Sequence, residues 1–504
     1  MTTIFERHTA SADLRQELPH DLRQEPPPGT AQGQEPEAPQ PGGLPRHDLP
    51  VLESYRGIAA LMVLLTHVGY LSGPGAVGPW AGWLSRLDFG VALFFLLSGF
   101  LLFRPFVQAS TGRRERVSVR DYLRRRYVRI YPAFVVALIG CYLITPAARE
   151  DAASVWLQTL FLVQNYNTGF GNQLHGLVQT WSLGVEVAFY LTLPLLARFV
   201  LGPRRQRPIR VIDVTDAALA RPHGRRAMRQ RRRMRDGWRA GSAAVWLRDW
   251  RPAVVLAALA VIAIGWRVYY MDQSNLYKPQ ILWLPPFLDW FAGGMLLAWL
   301  RERTVAVPVT LRHIANAPGA CWSLALAGYW LTTTKIGGPY GLQAATTAEG
   351  MTKHVLYLLI GLLLLTPAIF GDPDAGWRRF ATGRVMSWLG RISFGVFLWH
   401  PMLIEAIRRL LDMPAFTGGF WITLVLTLLA SLTAGHLSWK LVEEPAQRRF
   451  RHGFRRRPAP ADSPAQSPTQ SPTQAPAQAP AQAPAQSPTQ AVVAAPLGAP
   501  ALPG

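Results

Sequence analysis

Residues 51–71 decide the fold of this protein, and they read Val51-Leu-Glu-Ser-Tyr-Arg56-Gly-Ile-Ala-Ala-Leu-Met-Val-Leu-Leu-Thr-His67-Val-Gly-Tyr-Leu71. The stretch can cross a bilayer as a helix, because roughly 20 residues at about 1.5 Å each span the hydrocarbon core. It nevertheless carries Arg56 and His67. At about 100° per residue these two side chains share one helix face, separated by roughly 16 Å along the axis. Since an arginine in a membrane helix costs at least about 2.5 kcal/mol, we expect this face to line a hydrated, protein-walled cavity.

The composition is that of a polytopic membrane protein. Of 504 residues, 49% are hydrophobic and only 16% are charged, and several apolar runs approach 20 residues. We predict an all-α fold of about ten transmembrane helices. The predicted spans are approximately 51–71, 89–107, 127–146, 180–201, 252–270, 282–300, 319–335, 354–370, 387–407 and 420–441. Residues 147–179 are interpreted as an interfacial or re-entrant segment followed by a loop.

The predicted domains are a membrane domain at 48–450 between two polar ends. Residues 1–46 and 458–504 are proline-rich and too poor in apolar surface to order themselves, so we expect disordered termini. The polar start also predicts that no cleavable signal peptide opens the chain and that the first span directs insertion. A basic insert at 203–251 holds 15 Arg against four Asp, half of the net charge of +22. Contact of the insert with anionic lipid headgroups is the expected role, and no nucleic-acid partner is predicted.

The charges of the loops predict an orientation. Basic residues concentrate in alternate loops and in the segment after the last span, whereas the opposite loops hold few. By the positive-inside rule, both termini are predicted to be cytoplasmic, in a multi-pass protein of the plasma membrane. Arg56 then lies toward the cytoplasm and His67 toward the outside.

Two carboxylates are candidate partners of His67. Glu186 lies six residues into the fourth span and Asp88 at the outer start of the second, so both are predicted at a depth similar to that of His67. A carboxylate beside an imidazole raises its basicity and helps it to take a proton from a hydroxyl. His67 could instead be a hydrogen-bonded interior histidine, but a carboxylate within a span indicates function by default.

Arg126 and Arg129 begin the third span in an Arg-x-x-Arg spacing. Residues three apart share a helix face, and two adjacent guanidinium groups suit a phosphate-bearing polyanion. The alternative interpretation is a positive-inside anchor.

Further polar residues could line the cavity. His400, near the outer end of the ninth span, is either an interface residue or a second polar wall. Ser98 precedes Gly99 in a pair that could serve close helix packing, and a nucleophilic serine is the weaker interpretation. Cys141 and Cys321 lack zinc or disulfide spacing and are interpreted as packing residues, and we predict neither a metal nor a bound cofactor.

The sequence resembles the integral membrane acyltransferase-3 family of O-acyltransferases. The resemblance covers about 48–450 without the insert, and its motifs occur in the family's order. They are Tyr55-Arg56-Gly-Ile-Ala-Ala-Leu through His67, Leu93-Phe-Phe-Leu-Leu-Ser-Gly-Phe-Leu, Arg126-Tyr-Val-Arg129-Ile-Tyr-Pro, Thr180-Trp-Ser-Leu-Gly-Val-Glu186-Val-Ala-Phe-Tyr, Arg391-Ile-Ser-Phe-Gly-Val-Phe-Leu-Trp-His400-Pro and Val442-Glu-Glu-Pro445. One departure concerns the second span, where many members have an Asp and this chain has Ala92.

The resemblance implies an acyl-coenzyme A donor used as co-substrate and a hydroxylated acceptor, often a sugar. The functional residues it implies are Arg56, His67, Arg126 and Arg129, with Glu186 as a further candidate, and Trp181 in the fourth motif joins the candidates for the cavity wall. The acceptor could be a glycan, a glycolipid or a secondary metabolite. Alternative interpretations are a transporter or flippase, since intramembrane charges also serve proton relays, and a non-catalytic membrane scaffold.

Overall fold

The structure is a computed structural model that describes residues 49–75, 77–167, 173–202, 250–271, 278–303, 308–340 and 345–452. The predicted disordered ends at 1–46 and 458–504, and the insert up to residue 249, lie outside the described residues. The described residues from 49 to 450 form one compact unit.

All regular structure in the described residues is helical. In chain order the helices are α1 Val51–Leu71, α2 Ala81–Ser85, α3 Phe89–Ser110, α4 Val119–Ile144, α5 Pro146–Glu150, α6 Ala153–Leu160, α7 Gln164–Asn167, α8 Thr180–Leu201, α9 Trp250–Tyr270, α10 Leu288–Glu302, α11 Val309–Ala315, α12 Pro318–Thr332, α13 Thr347–Phe370, α14 Gly376–Ala381, α15 Arg384–Leu410, α16 Phe420–Ser438 and α17 Glu444–His452. A π-helical turn, Trp439–Glu443, joins the last two.

The all-α membrane class is confirmed. Within the described chain, seven helical segments are long and apolar enough to cross a membrane. They are Val51–Leu71, Ala81–Ser110, Val119–Ile144, Thr180–Leu201, Trp250–Tyr270, Thr347–Phe370 and Phe420–Phe450. The remaining three predicted spans coincide with α10, α12 and α15. The first two have 15 residues each and α15 carries several charges, so the number of ten crossings stays a prediction.

Two helix boundaries differ from the predicted ones for local reasons. Helix α4 begins at Val119, eight residues before the predicted span, because Ser118 caps it by accepting a hydrogen bond from the amide of Asp121 at 3.3 Å. Helix α10 begins only at Leu288, after short 3₁₀ turns that contain three prolines. Proline cannot donate a backbone hydrogen bond, so the regular helix starts beyond them.

The segment between α4 and α8 forms three short helices, and its described part contains none long enough to cross a membrane. Several of its polar side chains are buried, among them Asn165, whose amide donates to the carbonyls of Trp181 and Leu282 at 2.7 and 3.1 Å. Backbone groups away from water need such partners, and Asn165 thereby ties the segment to the start of α8.

Helices α1 and α15 pack side by side and run parallel. A Cβ atom on Gly57 would lie 3.1 Å from the amide nitrogen of Gly390, and ten residues further along both helices His67 contacts His400. Helices α3 and α10 also approach closely, since a Cβ on Gly99 would lie 2.2 Å from the carbonyl oxygen of Phe291. Small residues allow such contacts between membrane helices, which supports packing as the role of Gly99.

Two arginines near helix ends are structural: Arg86 lies in the short turn before α3, and Arg408 lies in the last turn of α15. Arg86 is buried and donates to the carbonyls of Thr332, Gly337 and Gly338 at 2.6–2.8 Å, which closes the end of α12. Arg408, also buried, donates to the carbonyl of Gly418 at 2.9 Å. Both guanidinium groups satisfy carbonyls that the adjoining turns leave without backbone partners.

Candidate active site

A cavity of about 400 Å³ lies among α1, α3, α4, α8 and α15. One part of its wall is polar and the rest is apolar and aromatic. The polar and charged lining residues are Glu53, Arg56, Ser98, Arg104, Arg126, Arg129, Ser182, Glu186 and Tyr190. The aromatic ones are Phe94, Phe95, Phe394 and Phe397.

Arg56, Arg126 and Arg129 are the unpaired cations of this cavity. Helix α1 presents Arg56, and one face of α4 presents the other two, which are three residues apart. All three are half-buried, and none forms a hydrogen bond or ion pair with another described residue. The buried Nε of Arg126 has no partner in the described chain. The Glu53 and Glu186 carboxylates line the same cavity, but neither forms a direct ion pair with these arginines. Adjacent guanidinium groups suit a multivalent anion.

Arg104 lines the same cavity but is already neutralised. Its Nε donates to Oε1 of Glu302 at 2.5 Å, and the second oxygen of that carboxylate lies 3.5 Å from Arg113. Arg104 therefore joins α3 to α10, and its charge is balanced within the protein.

Glu186 accepts two short hydrogen bonds inside the cavity. Its Oε1 accepts from the Ser98 hydroxyl at 2.5 Å and from the Tyr190 hydroxyl at 2.6 Å. Asp88 directly precedes α3, and Ser98 lies ten residues further on, about 15 Å along the helix axis. Because Glu186 contacts Ser98, it lies deeper than predicted, in the cavity with Arg56 and not beside His67. The Ser98 hydroxyl thus joins α3 to α8 through this carboxylate.

His67 contacts a second histidine, His400. Nδ1 of His67 lies 2.8 Å from the carbonyl oxygen of Val63, and Nδ1 of His400 lies 3.1 Å from that of Val396. A carbonyl can only accept, so these contacts assign a proton to Nδ1 of each ring. Nε2 of His400, 3.2 Å from Nδ1 of His67, is then the acceptor, and Nε2 of His67 keeps a free lone pair.

A proline next to His400 shapes this part of α15. Pro401 has no N–H for the carbonyl of Phe397, four residues earlier. The buried side-chain amide of Gln179 supplies the missing donor at 3.3 Å and also donates to the carbonyl of Leu398 at 3.0 Å. The residue just before α8 thus fixes α15 at the level of His400.

The structure does not join the predicted carboxylates to His67. Asp88 lies near the level of His67, since Thr66 donates to the carbonyl of Ser85 at 3.2 Å. Its carboxylate, however, accepts from Lys353 at 2.7 Å and from the Tyr357 hydroxyl. Among the described residues His67 has no carboxylate in hydrogen-bond contact, because Asp88 is held by α13 and Glu186 lies deeper in the cavity. His400 occupies the partner position.

The remaining candidates fall into two groups. Arg56, Arg126, Arg129, Ser98 and Glu186 meet in one cavity. The other two candidates for the cavity wall, His400 and Trp181, are not among its described lining residues. His400 is fully buried beside His67. The centroid of the Trp181 ring lies 5.6 Å from that of Phe287.

Comparison with known proteins decides the family. A family model described as an acyltransferase domain matches residues 50–436. The chain belongs to the integral membrane acyltransferase-3 family. It is therefore a membrane acyltransferase. No solved structure matches this acyltransferase.

Curated relatives of the acyltransferase carry related names. Acyltransferase MdmB of Streptomyces mycarofaciens is 27% identical over 431 residues, 79% of this chain and 92% of that protein. Nodulation protein 10 of Rhizobium leguminosarum bv. viciae is 23% identical over 415 residues, 78% of this chain and 92% of the relative. The O-acetyltransferase OatA of Staphylococcus aureus is 27% identical over 176 residues, a third (33%) of this chain and 27% of that protein.

The sequence reasoning missed a buried hydrogen-bonded histidine–aspartate pair in the acyltransferase. Nε2 of His354 on α13 lies 2.7 Å from Oδ2 of Asp289 on α10, and the Trp290 ring stacks on the imidazole at 4.3 Å. Asp289 lies within a predicted span, so the rule that intramembrane carboxylates are functional or paired would have singled it out. No group of side chains suited to a metal ion occurs in the described part of the chain.

Proposed function

We propose that this protein transfers a short acyl group, acetyl or similar, from acyl-coenzyme A to a hydroxyl of a glycan, glycolipid or secondary metabolite. One observation carries the proposal: three arginines without a direct ion pair line one cavity, and a histidine with a free Nε2 lies beyond the aromatic wall of that cavity. An anionic donor and a hydroxyl acceptor match these two features.

The donor would bind through its phosphates. Arg126 and Arg129 offer adjacent guanidinium forks, and Arg56 faces the same space. Bidentate guanidinium contacts suit phosphate oxygens, whereas a small neutral donor would leave the three guanidinium groups without a hydrogen-bonded anion. The roughly 16 Å between Arg56 and His67 along α1 is compatible with a phosphopantetheine arm that carries the thioester toward His67.

His67 would act as the general base. Its Nε2 takes the proton of the acceptor hydroxyl as the oxygen attacks the thioester carbonyl. The carbon–sulfur bond breaks, and the departing sulfur receives that proton, so the products are the acyl ester and free coenzyme A. Because Nδ1 of His67 is held by Val63 and His400, the ring presents Nε2 to the reacting hydroxyl.

The orientation and the acceptor belong to the same proposal. The basic loops favour cytoplasmic termini in the plasma membrane, which would open the arginine side of the cavity to cytoplasmic acyl-coenzyme A. The relative OatA is an O-acetyltransferase, which favours acetyl as the group transferred here. The acceptor would then approach His67 from the opposite side of the membrane.

A radiolabel experiment tests the proposal. Membranes that contain the protein receive labelled acetyl-coenzyme A and an extract of the producing cells as acceptor, and labelled products are separated. We expect an ester-linked, base-labile product with the wild type and nearly none with His67→Gln. The matched control is His175→Ala, which changes a histidine whose side chain is 59% exposed. Equal labelling by wild type and His67→Gln would contradict the proposal.

A further inference from the structure

Two phenylalanine rings lie between the arginine cavity and His67. Phe94 on α3 and Phe397 on α15 meet edge to face, with centroids 6.2 Å apart at 68°. Both rings line the cavity, whereas neither His67 nor His400 is among its described lining residues. The two rings therefore close the cavity on the side of the histidines.

The positions of Phe94 and Phe397 along their helices independently place the pair between the level of Arg56 and the level of His67. Phe397 precedes His400 by three residues, about 4.5 Å along α15, and its ring centroid lies 6.2 Å from that of the imidazole. Phe94 packs against the cluster that contains Ala60 and Leu64, which lie between Arg56 and His67 on α1. The contacts of α1, α3 and α15 thus give the same level for the two rings.

The two rings differ in their freedom to move. Phe397 is only 7% exposed, and the Gln179 amide holds its backbone carbonyl in place of the N–H that Pro401 lacks. Phe94 is half-buried and borders the cavity, so it has space on one side. Rotamer changes of such rings are fast compared with turnover, and Phe94 is the ring that can swing aside.

We propose that Phe94 and Phe397 form a constriction that the acyl group must pass to reach His67, and that it selects acyl donors by their cross-section. This inference rests on the proposed function, with coenzyme A held at the arginines and the thioester delivered to His67. A linear acetyl or propionyl group passes when Phe94 turns. Branched or aromatic groups, such as isobutyryl and benzoyl, require a wider opening and are excluded.

A donor panel tests the constriction. Purified protein in proteoliposomes receives acetyl-, propionyl-, isobutyryl- or benzoyl-coenzyme A with the cell extract as acceptor, and kcat/KM is measured for each donor. We expect Phe94→Ala to raise the ratio of isobutyryl to acetyl transfer by about tenfold or more, since a few extra carbons in a tight pocket are worth that factor. Phe94→Trp should lower it.

Controls separate selection from loss of structure. Phe106→Ala makes the same change on the same helix, at a half-buried ring that packs on Tyr122 away from the cavity, and should leave the ratio unchanged. A merely destabilised variant lowers transfer from every donor alike. If Phe94→Ala does not fold, the ratio of isobutyryl to acetyl transfer is measured with Phe94→Leu instead.

The outcomes are distinct. Acetyl transfer that continues with a wild-type donor ratio in both Phe94→Ala and Phe94→Leu would overturn the constriction and leave the proposed function intact. Wild-type protein that transfers no acyl group from any coenzyme A thioester would overturn both.

Discussion

Nε2 of His400 on α15 lies 3.2 Å from Nδ1 of His67 on α1. Each ring also donates from Nδ1 to the carbonyl four residues earlier in its own helix. The chain thereby orients His67 with a second imidazole, where the sequence suggested a carboxylate. A neutral orienting partner avoids placing another charge in the membrane interior, which would be costly.

Removal of either histidine should affect turnover more than donor binding. We expect His67→Gln to lower kcat by about 10²–10⁴-fold, the usual contribution of a general base. His400→Phe keeps a planar ring but removes the Nε2 acceptor that orients His67. We expect this loss of orientation to lower kcat by about tenfold or more. The KM for acyl-coenzyme A should stay near the wild-type value in both. A large rise in KM with unchanged kcat would contradict the assigned roles.

The pairing of Gln179 with the carbonyl of Phe397 should be energetically coupled to Pro401. Gln179→Leu leaves a buried carbonyl unpaired and should lower the free energy of unfolding by about 1–3 kcal/mol. Pro401→Ala restores the backbone N–H, so the double variant Gln179→Leu/Pro401→Ala should recover part of that loss. Thermal unfolding in detergent measures the cycle. If the two substitutions changed the free energy of unfolding additively, the Gln179 amide would not be replacing the backbone N–H that Pro401 lacks.

The buried Asp289–His354 pair should stabilise the contact of α10 with α13. Asp289→Ala leaves the Nε2 of a 2% exposed histidine without its partner, at a cost of about 2–3 kcal/mol. Asp151→Ala is the matched control, because it breaks a pair of the same type at 2.8 Å whose histidine is 59% exposed. We expect a clear fall in Tm for the first variant and a small one for the second. Equal falls would contradict a structural role based on burial.

The proposed orientation can be read from single-cysteine labelling. Both native cysteines, Cys141 and Cys321, are buried, so a new exposed cysteine supplies the signal. Val77→Cys lies in the loop after α1, where the native side chain is 79% exposed, and should react with an impermeant maleimide in intact cells. Arg114→Cys, in the exposed loop after α3, should react only after the membrane is opened. The reverse pattern would place the termini outside.

Hydropathy and charge predicted the helices well because burial in lipid acts on each span separately. The cost of Arg56 within a span indicated a cavity, and Arg56 lines one together with Arg126 and Arg129, whereas His67, predicted on the same wall, is not among its described lining residues. Rise per residue also gave the distance between two residues of the same helix. These quantities depend on one segment at a time.

Pairings between helices could not be derived in the same way. The depth of Glu186 depends on how far α8 is displaced along the axis relative to α1, and buried contacts of the preceding turns set that displacement. The partner of Asp88 depends on which helix lies beside α3, here α13 with Lys353 and Tyr357. Lateral order and axial offset are properties of the packed bundle, so a single sequence without that packing leaves the partner of His67 open.

Titration of coenzyme A into the purified protein tests most directly that the arginine cavity is the donor site. We expect coenzyme A to bind well and pantetheine, which lacks its phosphates, to bind poorly. Arg126→Gln and Arg129→Gln should each weaken coenzyme A binding by about 10–100-fold, the value of a charge-assisted phosphate contact, whereas Arg125→Gln, an exposed neighbour on α4, should not. Coenzyme A that binds no better than pantetheine, or equally well to all three variants, would contradict a phosphate site in this cavity.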